Sequence, residues 1–130
     1  MLALAQEYEK ALIVLDNLFE EQLKVDERSL VDLEIANTHW AKGDTVNAFE
    51  LYDLIDTTYA RTDASAKASY KRGTIYERNF LDFKSARTFY GKAKEQNPQS
   101  EVVPVAQKKV ATLDEYFLHY QNIAKYDSLV

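Results

Sequence analysis

The sequence predicts an all-α fold, about six helices arranged as stacked antiparallel hairpins, and three observations carry that expectation. The first is a repeated helix face. The stretch Asp82 to Pro98, DFKSARTFYGKAKEQNP, places Phe83, Ala86, Tyr90 and Ala93 on one side. The same face recurs at Thr45, Ala48, Tyr52 and Ile55, and again at Tyr8, Ala11, Leu15 and Leu18. The second is the interval: the small residue steps from Ala11 to Ala48 to Ala86, 37 and then 38 residues. A fixed period of this size belongs to stacked helical repeats. The third is the scarcity of breakers, 3 Gly and 2 Pro in 130 residues, too few to punctuate a many-stranded sheet.

The first helix is expected from Leu2 to about Lys24, with Tyr8, Ala11 or Leu12, Leu15, Leu18 or Phe19, and Gln22 or Leu23 inward. Its apolar stripe is wide and predicts burial against more than one neighbour. Its phase matches the second helix of a hairpin, so the chain reads as a piece of a larger repeat array. Asp26 to Ser29 is expected as a turn, with Asp26 or Ser29 capping a second helix from Leu30 to Lys42. Leu30, Leu33, Ile35, Ala36 and Trp40 are its apolar positions. Gly43 ends it, because glycine enters the left-handed C′ conformation without penalty.

Asp44 caps a third helix to about Tyr59, whose buried side is Ala48, Phe49, Leu51, Tyr52, Leu54 and Ile55. Thr62 or Asp63 caps a fourth, ending near Arg78, with Ala66, Ser69, Tyr70, Gly73 and Tyr76 on one face. A mid-helix glycine costs about 1 kcal/mol against alanine, so Gly73 implies a close approach by another helix backbone. Asp82 caps the fifth helix and Asn97-Pro98 stops it. Ser100 is expected to cap the sixth, with Pro104 in the first turn, where a missing N–H matters little. Val105, Val110, Leu113, Phe117, Tyr120 and Ile123 or Ala124 are expected inward, and Lys125 to Val130 frayed.

Gly73, Tyr76, Phe83, Ala86, Tyr90, Ala93 and Pro98, in that order, resemble a tetratricopeptide repeat, with one extra residue in the turn. Ala36, Gly43, Asp44, Ala48 and Tyr52 resemble a weaker copy in which Thr45 replaces an aromatic and no proline closes the hairpin. Ala111 lies 38 residues beyond Gly73. The resemblance implies a right-handed α-solenoid in one domain, residues 1–130: a helix of a partial repeat at 2–25, repeats at 28–60 and 63–98, and a terminal or capping helix at 100–125. It further implies a scaffold that binds a peptide or protein segment on the concave face of the stack. By phase, that face holds Leu33, Asn37, Trp40 and Ala41 on the second helix and Lys67, Tyr70, Lys71, Thr74 and Arg78 on the fourth. Asn37, Trp40, Lys67, Tyr70, Lys71, Thr74 and Arg78 are the candidate partner-binding residues. Leu33 sits where a chaperone-tail clamp would need a lysine, so no such clamp is expected. The link from Asn97 to Val105 is similar to bacterial envelope proteins of this class, which help assemble outer-membrane components.

Net charge is −5, which argues against nucleic acid as a partner. Residues 1–60 carry 4 Lys/Arg and 13 Asp/Glu, whereas residues 61–94 carry 9 and 3. That contrast reads either as solvated faces of differing sign or as a basic shelf for an acidic segment. No cysteine is present, which removes disulfides and a thiol nucleophile. No apolar run reaches the roughly 20 residues of a membrane span. His39 and His119 stand alone without a metal-ligand spacing, and the adjacent acidic pairs lie on solvated helix. No cofactor, metal or catalytic residue is therefore expected. Nine tyrosines, including Tyr116, Tyr120 and Tyr126, give the terminal helix an aromatic stripe suited to docking further repeats or to a homodimer.

Overall fold

The computed structural model describes residues 2–20 and 24–128, with side chains over 4–17 and 24–123. Six helices are present among them: α1 (Leu2–Glu20), α2 (Val25–Lys42), α3 (Thr45–Thr58), α4 (Asp63–Arg78), α5 (Phe83–Gln96) and α6 (Val103–Ser128). Each packs on its neighbour in the chain, and α2 also packs on α4.

Local chemistry sets most of the boundaries. Gly43 lies at φ +93° and its N–H reaches back to the last turn of α2, closing the helix. Side-chain oxygens of Asp44, Thr62 and Asp82 accept from the N–H groups of Asn47, Ser65 and Ser85 at 3.1–3.2 Å, each satisfying an otherwise orphaned donor. Asn97 is extended and Pro98 follows it, so α5 stops at Gln96. The extra residue between α4 and α5 is absorbed by Leu81, at φ +52°.

Three boundaries differ from expectation. α2 starts at Val25, so Asp26 to Ser29 is helix and neither end of it is the cap. Lys24 precedes the helix, and Glu27 Oε2 accepts from the Lys24 N–H at 3.3 Å. Ser29 is buried and donates to the Asp26 carbonyl at 2.7 Å. Ser100 does not cap α6 either. It is buried in the 97–100 turn, with its carbonyl accepting from the Val103 N–H, and the Val102 carbonyl accepts from Ala106. Helix α6 runs on to Ser128, through positions expected to fray. The expected inward positions Leu18, Phe19, Gln22 and Leu23, and Ala124, lie outside the described side chains.

Two clusters make the core, and α4 joins them. Leu33, Ala36, Ala48, Tyr52, Ile55, Ala64, Ala68 and Ile75 form one, roofed by Trp40, Phe49, Leu51 and Tyr59. Ala86, Tyr90, Ala93, Ala106 and Leu113 form the other, with Tyr70, Tyr76, Phe83 and Phe117 against it. Ala36, Ala48 and Ala86 have no exposed surface, as nested hairpins require. At Gly73 the neighbour is a ring and not the expected backbone: a Cβ there would lie 2.6 Å from Tyr90 Cδ1.

The apolar phase differs at the ends. Leu33, placed on the concave face by phase, is 4 % exposed and belongs to the core, whereas Leu54 faces solvent. Helix α1 packs on α2 and, among the described residues, on no other helix to a comparable extent; its stripe residues Tyr8, Ala11, Leu12 and Leu15 are half-buried, while Ile13 and Val14, outside that stripe, are exposed. The inward line of α6 is Val103, Ala106, Val110, Leu113 and Phe117, spaced three and four apart. Val105 lies off that line, and Tyr120 and Ile123 lie past the part of α6 that packs on α5, so all three are exposed.

Candidate interaction surface

On α4, Lys67, Lys71, Thr74 and Arg78 are spaced four, three and four apart and therefore share one side of the helix. Lys67 is committed within the fold. Its ammonium pairs with Asp63 at 3.1 Å and Glu101 at 3.4 Å, and the Asp63 hydrogen bond is the main cause of its raised pKa. The Thr74 hydroxyl donates to the Lys71 carbonyl at 2.7 Å. Lys71 makes no ion pair among the described residues. Arg78 is largely exposed, with only its neighbour Glu77 at 3.9 Å.

The other predicted residues hold the structure together. Asn37 Oδ1 accepts from the hydroxyl of the fully enclosed Tyr52 at 2.6 Å. Trp40 packs in an aromatic roof, 6.2 Å from Phe49 and 6.4 Å from Phe80 between ring centres. Tyr70 lies 5.6 Å from Tyr90. Lys71, Thr74 and Arg78 are what remain open as a patch.

Part of the basic excess of residues 61–94 is spent on neighbouring elements. Arg72 is buried, 2.8 Å from Asp53 and 3.3 Å from Asp56 of α3, with its guanidinium 4.3 Å from the centre of the Phe89 ring. Burial raises the Asp56 pKa despite the nearby Arg72 charge. Arg87 forms two hydrogen bonds to Asp114 of α6, at 2.9 and 3.3 Å. Arg72 and Arg87 thus tie successive helices together, while Lys71 and Lys84 make no ion pair among the described residues.

Sequence reasoning missed the contribution of α6. A groove of about 300 Å³ lies between α4 and α6, lined by Glu77, Val105, Lys108, Lys109, Thr112 and Leu113. Lys109 spans it to reach Glu77 at 3.2 Å. The groove shares Thr112 and Leu113 with a smaller apolar recess that includes Phe83 and Tyr116. The three-and-four spacing from Val103 to Phe117 was the available signal, since it turns Val105 and Thr112 away from the core.

Comparison with protein-family models, curated proteins and solved structures gave no match. The surface therefore stands on its own geometry. Among the described residues no group of three His, Cys, Asp or Glu side chains could hold a metal ion, and no helix is long and apolar enough to cross a membrane. His39 Nδ1 is 3.4 Å from Asp44, the cap of α3, and His119 is exposed on α6. What the surface offers is an apolar floor between two helices, edged by cations.

Proposed function

We propose that this chain is a protein-interaction scaffold of the tetratricopeptide-repeat type, and that it binds a peptide or protein segment along α4 and α6. The observation that carries the reading is the groove between Glu77 of α4 and the Val105 to Leu113 stretch of α6, with Arg78 3.9 Å from Glu77 at its edge. The packing of α2 on α4, the enclosed alanines and the ring seated on Gly73 favour a repeat stack. An apolar floor with Val105 and Leu113 would take aliphatic or aromatic side chains. Lys71, Arg78 and Lys108 would meet carboxylates. Asn37 and Trp40 hold α2 on α3, and Tyr70 holds α4 on α5.

The test is selection of binders from a randomised peptide library, followed by titration of the selected peptide into the wild type and the Lys71→Glu/Arg78→Glu double variant. Binding should weaken at least ~10-fold in the variant, which corresponds to ~1.4 kcal/mol. Both side chains lie outside the core, so the thermal midpoint should stay put. A peptide that binds the two proteins equally would remove the α4 patch from the reading.

A further inference from the structure

A second surface, separate from the α4 patch, lies where α6 overhangs the start of α5. Leu81, Phe83, Tyr116, Phe117 and Tyr120 line a trough of about 250 Å³, with Lys84 at its rim. Leu81 is 68 % and Tyr120 63 % exposed, a heavy concentration of bare apolar surface. The trough continues past Lys84 to Gln121. From Tyr116 to Gln121 it follows six residues of α6, or roughly 9 Å, room for between one and two turns of a packed helix. Among the nearby acids Asp114 pairs with Arg87, Asp82 in the lining accepts from Ser85 and keeps its charge, and Glu115 is exposed on α6. Lys84 makes no ion pair among the described residues.

The occupant should therefore be a helix with an apolar ridge and acidic flanks. The chain contains one at the other end of its series of packed helices. Helix α1 packs on α2 alone to any extent and leaves Ile13 61 % and Val14 57 % exposed. Glu7 and Asp16 are exposed beside them and make no ion pair among the described residues, whereas Glu9 pairs with Lys42 of α2 and Lys10 is an exposed cation. We propose that α1 of one copy docks into the α5–α6 trough of a second copy, head to tail. Two troughs facing each other would leave a gap between concave walls and bring like charges together at Lys84. A ridge in a trough fills the space and pairs Lys84 with carboxylates. Because the two patches differ, one contact leaves a free patch at each end, so assembly is open.

Sedimentation velocity on the full chain over a concentration series tests this, with two variants that act at exposed positions. Val14→Arg sets a cation toward Lys84, and Tyr120→Glu sets an acid toward α1. The wild type should grow in mass with concentration beyond two copies. Each variant alone should associate at least ~10-fold more weakly. A 1:1 mixture of the two should form a discrete two-chain particle, since one intact α1 then meets one intact trough. Ile13→Gln and Leu81→Gln form a second pair that should behave in the same way. A wild type that stays monomeric to ~1 mM overturns the proposal. So does a two-copy plateau that survives Val14→Arg, the mark of a symmetric dimer. The Lys71→Glu/Arg78→Glu protein should still assemble, which separates failure here from failure of the peptide-binding reading.

Discussion

Replacing Gly73 with alanine tests the packing of α4 on α5 directly. In an open helix the change would stabilise by about 1 kcal/mol, because alanine is the better helix former. Here the new Cβ would lie 2.6, 2.7 and 2.9 Å from three carbons of the Tyr90 ring. That ring has no exposed surface and sits among Ala86, Ala93, Ala106 and Leu113, so it cannot simply swing away. Forcing a methyl group into a filled site typically costs about 1–3 kcal/mol. Contact at three carbons of an enclosed ring places the cost at the upper end, and the net effect is a loss of about 1–2 kcal/mol. Urea unfolding followed by circular dichroism should give that change with an unaltered slope. The thermal midpoint should fall by roughly 4–8 °C. Gly91→Ala is the internal control. Its nearest neighbour is Arg87 Nη1 at 3.5 Å, an ordinary contact, so the propensity gain should survive and the protein should become more stable. If Gly73→Ala stabilises as Gly91→Ala does, the ring is not seated on Gly73 and the account of the hairpin contact fails.

Three further outcomes follow from the same contacts. Arg72→Ala removes the cation between Asp53 and Asp56 and leaves the Asp56 carboxylate buried without it, so unfolding should become easier by about 3 kcal/mol; a change within ±0.5 kcal/mol would mean that the ion pairs carry no stability. Tyr52→Phe deletes the hydroxyl that Asn37 accepts and should cost about 1 kcal/mol, with Asn37→Ala costing a similar amount by denaturant titration. For Asp32, burial raises the pKa above the ordinary 3.8, opposed by the Tyr59 hydrogen bond and helped by Asp16. A folded-state pKa above the unfolded one means that its contribution is fully present below the unfolded value and is lost as pH rises through the folded value. Asp32→Asn should therefore raise the urea midpoint at pH 7 and leave it nearly unchanged near pH 3.5; an equal gain at both would show that the carboxyl's charge is not the cause.

The predicted partner-binding residues were only partly legible because phase along a helix locates a face but not its neighbours. Lys67, Lys71, Thr74 and Arg78 do share one side of α4, as their spacing requires. Asn37 was chosen from the same argument, yet its carbonyl oxygen is taken by a tyrosine 15 residues away in the sequence. Val105, Lys108 and Thr112 were overlooked as groove residues for a different reason. Val105 lies five residues before Val110, off the three-and-four line from Val103 to Phe117 that packs on α5, so the spacing carried a signal that went unused.

By itself, the sequence determined the helices and most of their ends. Gly43, Asp44, Thr62, Asp82 and Pro98 act within four residues of their own position, and such short-range chemistry survives any packing. It also determined the small residues on which the hairpins close, since nothing larger than Ala36, Ala48, Ala86 or Gly73 fits where they lie. Tertiary structure decided the rest: how far α5 covers α6, which acids pair with Lys67, Arg72 and Arg87, and which aromatic rings pack into the core. Those outcomes depend on groups 15 to 40 positions apart, whose separation in space is set only once the helices have packed.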